Sequence, residues 1–181
     1  MSRIGKKKIL IPNNINFIYK NNIFYVKGNL GKLKLKINKK VILFFKKKYI
    51  YLKIKNKKSI KEKSLYGLYR TLIYNMIIGV SKGFKKKLLI IGLEYKVIKH
   101  KNTLEFYLGY SHNIVIDIPK CIKVNIIINN NIIILNLFSY NKVLLGLYSS
   151  KIKSFKKPDP YKGKGIRFSN EYIIKKVRKK V

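Results

Sequence analysis

The chain has very few acidic side chains. Only 6 Asp and Glu residues stand against 43 Lys and Arg in 181 residues, which gives a formal net charge of +37. A compact chain with that imbalance repels itself unless a polyanion neutralises it. Hydrophobic residues make up 47% of the chain, which is enough to bury a core and excludes a disordered basic tail. The composition therefore favours nucleic acid or an anionic membrane surface as the partner.

Catalytic and metal-binding groups are equally scarce. Cys121 is the single cysteine, which excludes an internal disulfide and a cysteine-based metal cluster; we expect a reduced, buried thiol. His100 and His112 lie on different predicted turns, and the carboxylates are scattered singly, without acid–base or metal-ligand spacing. No glycine-rich nucleotide loop follows a strand and opens a helix. The sequence predicts no catalytic residue, metal site, cofactor or small-molecule substrate, and so no enzyme.

A membrane-spanning segment is also missing. Residues 124–141 form the longest uncharged run, which is about long enough to span a bilayer. Asparagines at positions 125 and 129–131 interrupt it, which favours a strand, a turn and a second strand. No signal or transit sequence precedes the first motif. We expect a protein that has no membrane partner.

Arginine is rare beside lysine. The heavy use of Lys, Ile, Asn, Tyr and Phe indicates an AT-rich genome that favours lysine codons. We hypothesise that some of the remaining arginine positions need a planar, bidentate cation that an ammonium group cannot replace. These arginines are Arg3, Arg70, Arg167 and Arg178.

Strand patterns precede one helix in each half of the chain. Leu33, Leu35 and Ile37 alternate with lysines, which is the period-two pattern of a half-buried strand. The same order returns after residues 79–87, where predicted strands lead to a helix over residues 141–154. Strands followed by a helix are typical of the α+β class.

The two predicted helices share features that suggest an internal duplication. Ser59 and Glu62 have capping-box spacing at the start of the first helix, and Gly79 is expected to end it. Gly-Leu-Tyr occurs in both helices, at residues 67–69 and 146–148. We expect an α+β fold of two similar domains, residues 1–80 and 81–181, each a mostly antiparallel sheet packed against one helix, with a basic C-terminal extension. The residues expected to face inward are Leu65, Leu68, Leu72, Ile73 and Met76 in the first helix and Leu144, Leu147, Tyr148, Ile152 and Phe155 in the second.

The segment most typical of a polyanion site lies at residues 158–168. Pro158 and Pro160 disfavour helix in the residues before them, so the second helix stops here. Residues 162–165 read Lys-Gly-Lys-Gly, which places two cations on a backbone open to close approach. Tyr161 adds a ring, and Arg167 adds a planar fork suited to phosphate. For the Lys-Gly-Lys-Gly run alone, a solvated basic turn is the other interpretation.

The whole of residues 158–168 resembles the C-terminal signature of the bacterial-type, plastid-like large-subunit ribosomal protein six family. Residues 1–7, 83–88 and 108–112 are similar, in the same order, to other motifs of that family. The resemblance implies two similar α+β domains. It also implies a position near the base of the stalk and the translation-factor site, with the C-terminal half holding the large-subunit ribosomal RNA.

Four segments are candidates for RNA contact, because basic groups interleaved with rings and glycines suit a shaped RNA surface. They are residues 156–167, 175–180, 109–113 and the N-terminal arm. The lysine run at residues 85–87 is interpreted as a solvated face. The resemblance carries over Tyr161, Lys162, Gly163, Lys164, Gly165 and Arg167 as contacts. The first segment adds Lys156 and Lys157, and the other segments add Ser111, His112, Lys175, Lys176, Arg178, Arg3, Lys6 and Lys7.

The sequence thus favours a structural constituent of the large ribosomal subunit that binds ribosomal RNA and contacts neighbouring ribosomal proteins. A cationic membrane-surface protein is one alternative, although it needs an amphipathic helix with lysines along its polar face. A general nucleic-acid-binding protein is the other. AT-rich coding without a presequence fits an organelle-encoded gene in a relict plastid or the cytoplasm of a reduced bacterium.

Overall fold

The computed structural model of the protein describes residues 3–46, 48–54, 60–129 and 132–176. The predicted RNA contact Arg178 and the predicted helix cap Ser59 lie outside these described residues. The described chain separates into two compact units. The first contains the described residues up to Gly83 together with Tyr140–Lys142, and the second contains Phe84–Ser139 and the described residues from Val143 onward.

The first unit combines antiparallel sheets with one long helix. Its elements are α1 (Arg3–Lys6), β1 (Ile9–Leu10), β2 (Asn16–Lys20), β3 (Ile23–Gly28), β4 (Gly31–Lys36), β5 (Val41–Lys46), β6 (Tyr49–Ile54) and α2 (Ile60–Ser81). One three-stranded sheet has the order β1-β6-β5, and the other has the order β2-β3-β4. Because β5 pairs with β6 and not with β4, the sheet β2-β3-β4 ends at β4.

The predicted alternation is present in β4. Leu33 and Leu35 are half-buried between exposed lysines, and Ile37, directly after the strand, is 2% exposed. Val26 and Phe24 of β3 lie opposite Leu33 and Leu35. Apolar side chains paired across two strands stabilise one face of a sheet. Here these four side chains pack in the core of the first unit. The prediction of a half-buried strand is confirmed.

The end of α2 differs from the prediction. Gly79 lies inside the helix, which continues to Ser81. Gly83 has a φ of 75°, and its N–H donates to the carbonyl of Ile78 at 3.2 Å. A left-handed residue just after a helix is a common C-terminal cap, because it lets the following N–H groups reach the last free carbonyls. The helix is therefore capped by the second glycine of this region, not the first.

The second unit has the same kind of architecture. Its elements are β7 (Phe84–Ile91), β8 (Lys96–Lys99), β9 (Thr103–Tyr107), β10 (Ile114–Asp117), β11 (Ile122–Asn129), β12 (Ile132–Ser139), α3 (Lys142–Phe155) and β13 (Gly165–Phe168). A four-stranded sheet has the order β11-β12-β7-β13, and a three-stranded sheet has the order β10-β9-β8. Side chains from both sheets and from α3 form one core. Cys121 is half-buried against this core, less enclosed than expected.

The buried face of α3 is rotated from the predicted one. Leu144 and Leu147 are 41% and 64% exposed, whereas Leu145 and Ser149 are buried. Burial of Ser149 is possible because its hydroxyl accepts a hydrogen bond from Lys86 Nζ at 3.2 Å. In α2, the predicted inward residue Leu68 is likewise 52% exposed.

The α+β class and the antiparallel pairing are confirmed. Every strand pair in the described ranges is antiparallel, and each unit carries one long helix. Within the described residues, each unit contains two sheets, whereas one was predicted. The basic C-terminal extension stays a prediction. Among the described residues, no helix is both long and apolar enough to cross a membrane.

Candidate nucleic-acid interface

The loop after α3 returns the chain to the four-stranded sheet. α3 ends at Phe155, and β13 begins at Gly165 and pairs with β7. Backbone hydrogen bonds close the loop, and the one from the Ile166 N–H to the Lys156 carbonyl, at 2.9 Å, lies at its base. The Asp159 N–H donates to the Lys164 carbonyl at 2.8 Å, and the Gly163 N–H donates to the Asp159 carbonyl at 2.9 Å. A loop whose backbone groups are paired in this way holds its side chains in a defined arrangement.

The Asp159 carboxylate organises the turn. Its Oδ1 accepts a hydrogen bond from the Tyr161 N–H at 3.1 Å, and its Oδ2 accepts one from the Lys162 N–H at 3.0 Å. An aspartate that binds backbone N–H groups two and three residues later forms an Asx-type turn. Sequence reasoning missed this role, although Asp followed by Pro is a turn-initiating signal.

The backbone of the loop requires both of its glycines. Gly163 and Gly165 have φ values of +71° and +133°, a region that L side chains rarely adopt. A Cβ on Gly165 would lie 2.7 Å from the carbonyl oxygen of Lys157 and 2.8 Å from the Cα of Pro158. The space beside Gly165 is therefore filled by the loop itself, whereas the sequence pattern predicted open space for a polyanion.

The predicted contact residues of the loop differ in exposure. Tyr161 is 48% exposed, and Lys157 and Lys162 also face solvent. Lys156 and Lys164 are half-buried. Two solvent-facing cations beside a ring on one closed loop can contact phosphate and base together.

Arg167 occupies a different position, on β13 opposite Leu89 of β7. Its side chain is half-buried, and its Nε has no hydrogen-bond partner among the described residues. A buried donor without an acceptor costs free energy. A phosphate or base acceptor placed at this position would satisfy that donor.

The second predicted loop, residues 109–113, is tied to the first. The Tyr110 hydroxyl donates to the carbonyl of Phe155 at 2.9 Å, and Lys156 Nζ lies 4.0 Å from the centroid of the Tyr110 ring. The predicted contacts Ser111 and His112 follow directly and are exposed. The structure thus brings these two loops together through Tyr110, which lies within the predicted segment but was not singled out as a contact.

Glu105 supports the same loop from β9. Its carboxylate accepts hydrogen bonds from His100, Tyr107 and Asn113, each at 3.1 Å. The hydrogen bond from His100, followed by that from Tyr107, holds the pKa of Glu105 below its usual range. The cluster fixes Asn113 at the end of the loop. Within the described ranges, no group of three or more His, Cys, Asp or Glu side chains could hold a metal ion.

The predicted basic tail lies against the loop as far as the structure describes it. The Lys176 N–H donates to the Pro160 carbonyl at 3.0 Å. Lys175 passes Gly163, with its Cε 3.5 Å from the position that a Cβ would occupy. Both lysines are exposed, so they extend the cationic surface of the loop.

Glu171 fixes the start of this tail. Its carboxylate lies 2.6 Å from Lys153 Nζ of α3 and accepts a hydrogen bond from the Phe168 N–H at 3.2 Å. The hydrogen bond from Lys153 is the main reason that the pKa of Glu171 lies below its usual range. The bond joins α3 to the residues after β13.

The N-terminal arm is folded, although no periodicity predicted this. Arg3–Lys6 forms α1, and Gly5 lies so close to the Tyr66 ring of α2 that a Cβ would not fit. Arg70 Nε of α2 donates to the carbonyl of Lys7 at 3.4 Å. The arm belongs to the first unit, whereas the other described candidates belong to the second. The exposed predicted contacts of the arm are Arg3, Lys6 and Lys7.

Comparison with known proteins gives a consistent result. The profile of the family described as "Ribosomal protein L6" matches residues 91–169. The "Large ribosomal subunit protein uL6" of Karelsulcia muelleri (strain GWSS) is 48% identical over 181 residues, which cover 99% of this chain and 98% of the relative. This chain belongs to the ribosomal protein L6 family. The resemblance drawn from its motifs is confirmed.

Other relatives agree with that assignment. The protein of the same name from Bacteroides thetaiotaomicron is 42% identical over 97% of this chain, and that from Christiangramia forsetii is 39% identical over 99%. Membership of the L6 family makes the chain a structural constituent of the large ribosomal subunit and not an enzyme.

Proposed function

We propose that the chain holds large-subunit ribosomal RNA through its second domain, residues 81–181, with the loop at residues 156–167 as the main contact. The observation that carries the proposal is the Asx-type turn, in which Asp159 binds the backbone N–H groups of Tyr161 and Lys162. Side chains that are already in place lose less conformational entropy when they bind. The loop therefore presents a ring and cations to RNA in a prepared arrangement.

The proposed contact surface joins the predicted segments of the second domain. The Tyr110 bond supports adding residues 109–113 to the loop, and the Lys176 bond supports adding the tail. The N-terminal arm of the first domain, residues 1–80, contributes a separate contact. The proposed RNA contacts of the second domain are Lys156, Lys157, Tyr161, Lys162, Gly163, Lys164, Arg167, Ser111, His112, Lys175 and Lys176. Gly165 was also predicted as a contact, but it is buried, and in this proposal it lets the loop backbone turn instead of touching RNA.

The mechanism is scaffolding. Cations of the surface neutralise RNA phosphates that repel one another where RNA segments crowd together, and the antiparallel sheets hold those cations at fixed positions. On the basis of the family resemblance, the site lies near the stalk base and the factor-binding region, beside neighbouring large-subunit proteins. Support for translation follows from holding this region in shape.

Salt dependence of RNA binding tests the main contact. Replacing Lys162 and Lys164 with alanine removes up to two phosphate contacts, so the slope of log K against log salt should flatten by about one to two units. Lys32 and Lys34 of β4 are exposed, and their double alanine variant is the control with equal loss of charge. An unchanged slope for the loop variant rejects the assignment. Tighter binding to anionic vesicles than to ribosomal RNA supports the membrane-surface alternative instead.

A crosslinker at Tyr161 tests the position on the ribosome. In assembled subunits, the crosslinked nucleotides should map to large-subunit RNA near the factor-binding region, and exposure of the side chain makes it a suitable attachment point. Crosslinks that map elsewhere on the RNA reject the position but keep the RNA contact.

We place this ribosome in the cytoplasm of a bacterium with a reduced, AT-rich genome. The 48% identity to the relative from Karelsulcia muelleri, a reduced-genome bacterium, supports this choice over a relict plastid. Sequencing the DNA that flanks the gene tests it, because a plastid origin predicts organelle genes on both sides.

A further inference from the structure

The outer face of the sheet β11-β12-β7-β13 carries side chains that the loop described above does not use. Along β7, Leu88 and Ile90 are buried in the core, whereas Lys85 and Lys87 are exposed. Successive side chains of a strand alternate between the two faces of a sheet. The two lysines therefore share the face that is turned away from the core.

Two rows of side chains cross this face. Phe138 of β12 lies opposite Lys85 of β7 on one side and opposite Lys123 of β11 on the other. Residues directly opposite in an antiparallel pair have Cβ atoms about 5 Å apart, so exposed cations flank a half-buried ring. The adjacent row consists of Lys87, Asn136 and Asn125. We call these six residues the Phe138 face.

The lysine side chains of the Phe138 face have no partner in the described part of the chain. No hydrogen bond, ion pair or ring contact joins the ammonium group of Lys85, Lys87 or Lys123 to another described residue. Lys86, which points to the other side of the sheet, instead donates to Ser149 and lies 4.9 Å from the centroid of the Phe168 ring. The four strands contain no Asp or Glu, so the positive charge of this face is not neutralised within the sheet.

A buried acceptor lies at the centre of the same face. Asn136 Oδ1 is buried and has no hydrogen-bond partner among the described residues. Asn136, Phe138 and the lysines line a groove of about 370 Å³. That volume lies within the range of about 300–1,000 Å³ that is typical of small-ligand sites. Because an unsatisfied buried acceptor costs free energy, the groove favours a ligand with an N–H or O–H donor.

The Phe138 face is continuous with the proposed loop contact through Arg167. Arg167 lies opposite Leu89 on β7, two residues from Lys87. Diagonal neighbours of this kind in an antiparallel pair have Cα atoms about 7–8 Å apart and face the same side. Lys87 is therefore the neighbouring cation on this face for a polyanion that extends from the loop past Arg167.

We propose that the Phe138 face binds an unpaired segment of RNA. One base stacks on the Phe138 ring, the lysines hold the adjoining phosphates, and a base N–H or a ribose hydroxyl donates to Asn136 Oδ1. Unpaired RNA offers its base faces and edges, whereas a duplex keeps the base faces within its own stack. An aromatic ring among cations on an open sheet suits single-stranded nucleic acid. The inference rests on the proposed function in that RNA is the ligand, and it adds a contact that the loop does not supply.

Substitution of the ring tests the stacking step. Phe138→Leu keeps an apolar side chain but removes the ring, so the affinity of the full-length chain for a short, unstructured uridine oligonucleotide should fall by about tenfold or more. Phe138→Tyr keeps the ring and should retain affinity within about twofold. Binding to an RNA duplex of the same length should change little in either variant. Circular dichroism establishes that both variants are folded.

Substitution of the lysines tests the phosphate contacts. The triple variant Lys85→Gln, Lys87→Gln and Lys123→Gln should flatten the slope of log K against log salt by about two units, since each phosphate contact on a single strand contributes about 0.7. The control Lys32→Gln, Lys34→Gln and Lys36→Gln removes the same charge from exposed positions of β4 and should leave the slope nearly unchanged.

The outcomes separate this inference from the proposed function. Wild-type affinity of folded Phe138→Leu for the uridine oligonucleotide, or equal slopes in the two triple variants, overturns the inference. If the Lys162 and Lys164 variant weakens ribosomal RNA binding while the face variants do not, the proposed function stands and this inference fails. Unchanged RNA binding together with loss of a neighbouring ribosomal protein from assembled subunits assigns the face to a protein partner and also overturns it.

Discussion

The guanidinium group of Arg70 lies over the ring of Tyr74, with its Cζ 4.6 Å from the ring centroid. The Nε of the same group donates to the Lys7 carbonyl, so one planar cation stacks on α2 and ties down the N-terminal arm. An ammonium group lacks both the plane and the fixed donor geometry. The need for a planar cation at position 70 is therefore explained by contacts within the chain and requires no contact with RNA.

We expect Arg70→Lys to lower the stability of the chain and Arg167→Lys to lower its affinity for RNA. Arg70→Lys should lower the free energy of unfolding by about 1 kcal/mol through loss of the stacking and the hydrogen bond, while RNA affinity stays unchanged. Arg167→Lys should weaken ribosomal RNA binding by about tenfold, because an ammonium group cannot bind phosphate bidentately. Chemical denaturation and filter binding measure the two effects. A loss of RNA affinity in Arg70→Lys equal to that in Arg167→Lys would contradict the assignment.

Asp159→Ala should weaken RNA binding, although it removes a negative charge from a cationic loop. The carboxylate holds the N–H groups of Tyr161 and Lys162, and loss of such a turn acceptor costs about 1 kcal/mol and loosens the contact residues. Asp159→Asn removes the same charge but keeps one acceptor oxygen, so it should retain most of the affinity. Binding titrations at one salt concentration compare the two variants. Tighter binding by Asp159→Ala would show that charge outweighs the turn.

The sequence predicts the local features of this protein well, because local physics determines them. The alternation in β4 places Leu33 and Leu35 on one face whatever the rest of the chain does. Pro158 similarly guarantees that α3 stops shortly before it, and α3 ends at Phe155. Four motifs in the same order as in the family, at residues 1–7, 83–88, 108–112 and 158–168, led to the correct family.

Features that depend on distant partners could not be predicted. Hydrophobicity favours Leu144 and Leu147 as part of the inward face of α3, but the helix instead buries Leu145 together with Ser149, whose hydroxyl accepts a hydrogen bond from Lys86. In the same way, the lysine run at residues 85–87 was interpreted as one solvated face. The side chains of β7 in fact alternate, so Lys86 lies on one face of the sheet and its two neighbours lie on the other. The acceptor role of Asp159 is local and was within reach of sequence reasoning.

Two glycine substitutions should change stability in opposite directions. Gly165→Ala places a Cβ 2.7 Å from the Lys157 carbonyl oxygen at a φ of +133°, so it should lower the free energy of unfolding by about 1–3 kcal/mol. Gly146 lies inside α3, and a Cβ there meets no atom within 4 Å. Gly146→Ala should therefore raise the free energy of unfolding by about 0.5–1 kcal/mol. Urea denaturation of both variants tests the pair, and a stabilised Gly165→Ala protein would rule out the close backbone approach.

The ion pair between Lys153 and Glu171 should make stability depend on acid pH. The hydrogen bond from Lys153 lowers the pKa of Glu171 in the folded chain, so its contribution is fully present above the ordinary glutamate pKa. As the pH falls through the lowered pKa, the carboxylate takes up a proton and the contribution disappears. Glu171→Gln should thus lower the free energy of unfolding by at most about 1 kcal/mol near neutral pH, because the pair is partly exposed, and by almost nothing in strong acid.

Glu94 supplies the matched control for this measurement. Its side chain is exposed and makes no hydrogen bond or ion pair with another described residue, so Glu94→Gln removes the same charge without removing such a contact. Urea midpoints measured from neutral to acid pH compare the two variants. A constant difference between Glu171→Gln and the wild type across that range would mean that the side chain acts through packing alone. The urea midpoints of Glu171→Gln and of the wild type should instead converge at low pH. There the protonated Glu171 side chain of the wild type and the amide of the variant are both uncharged.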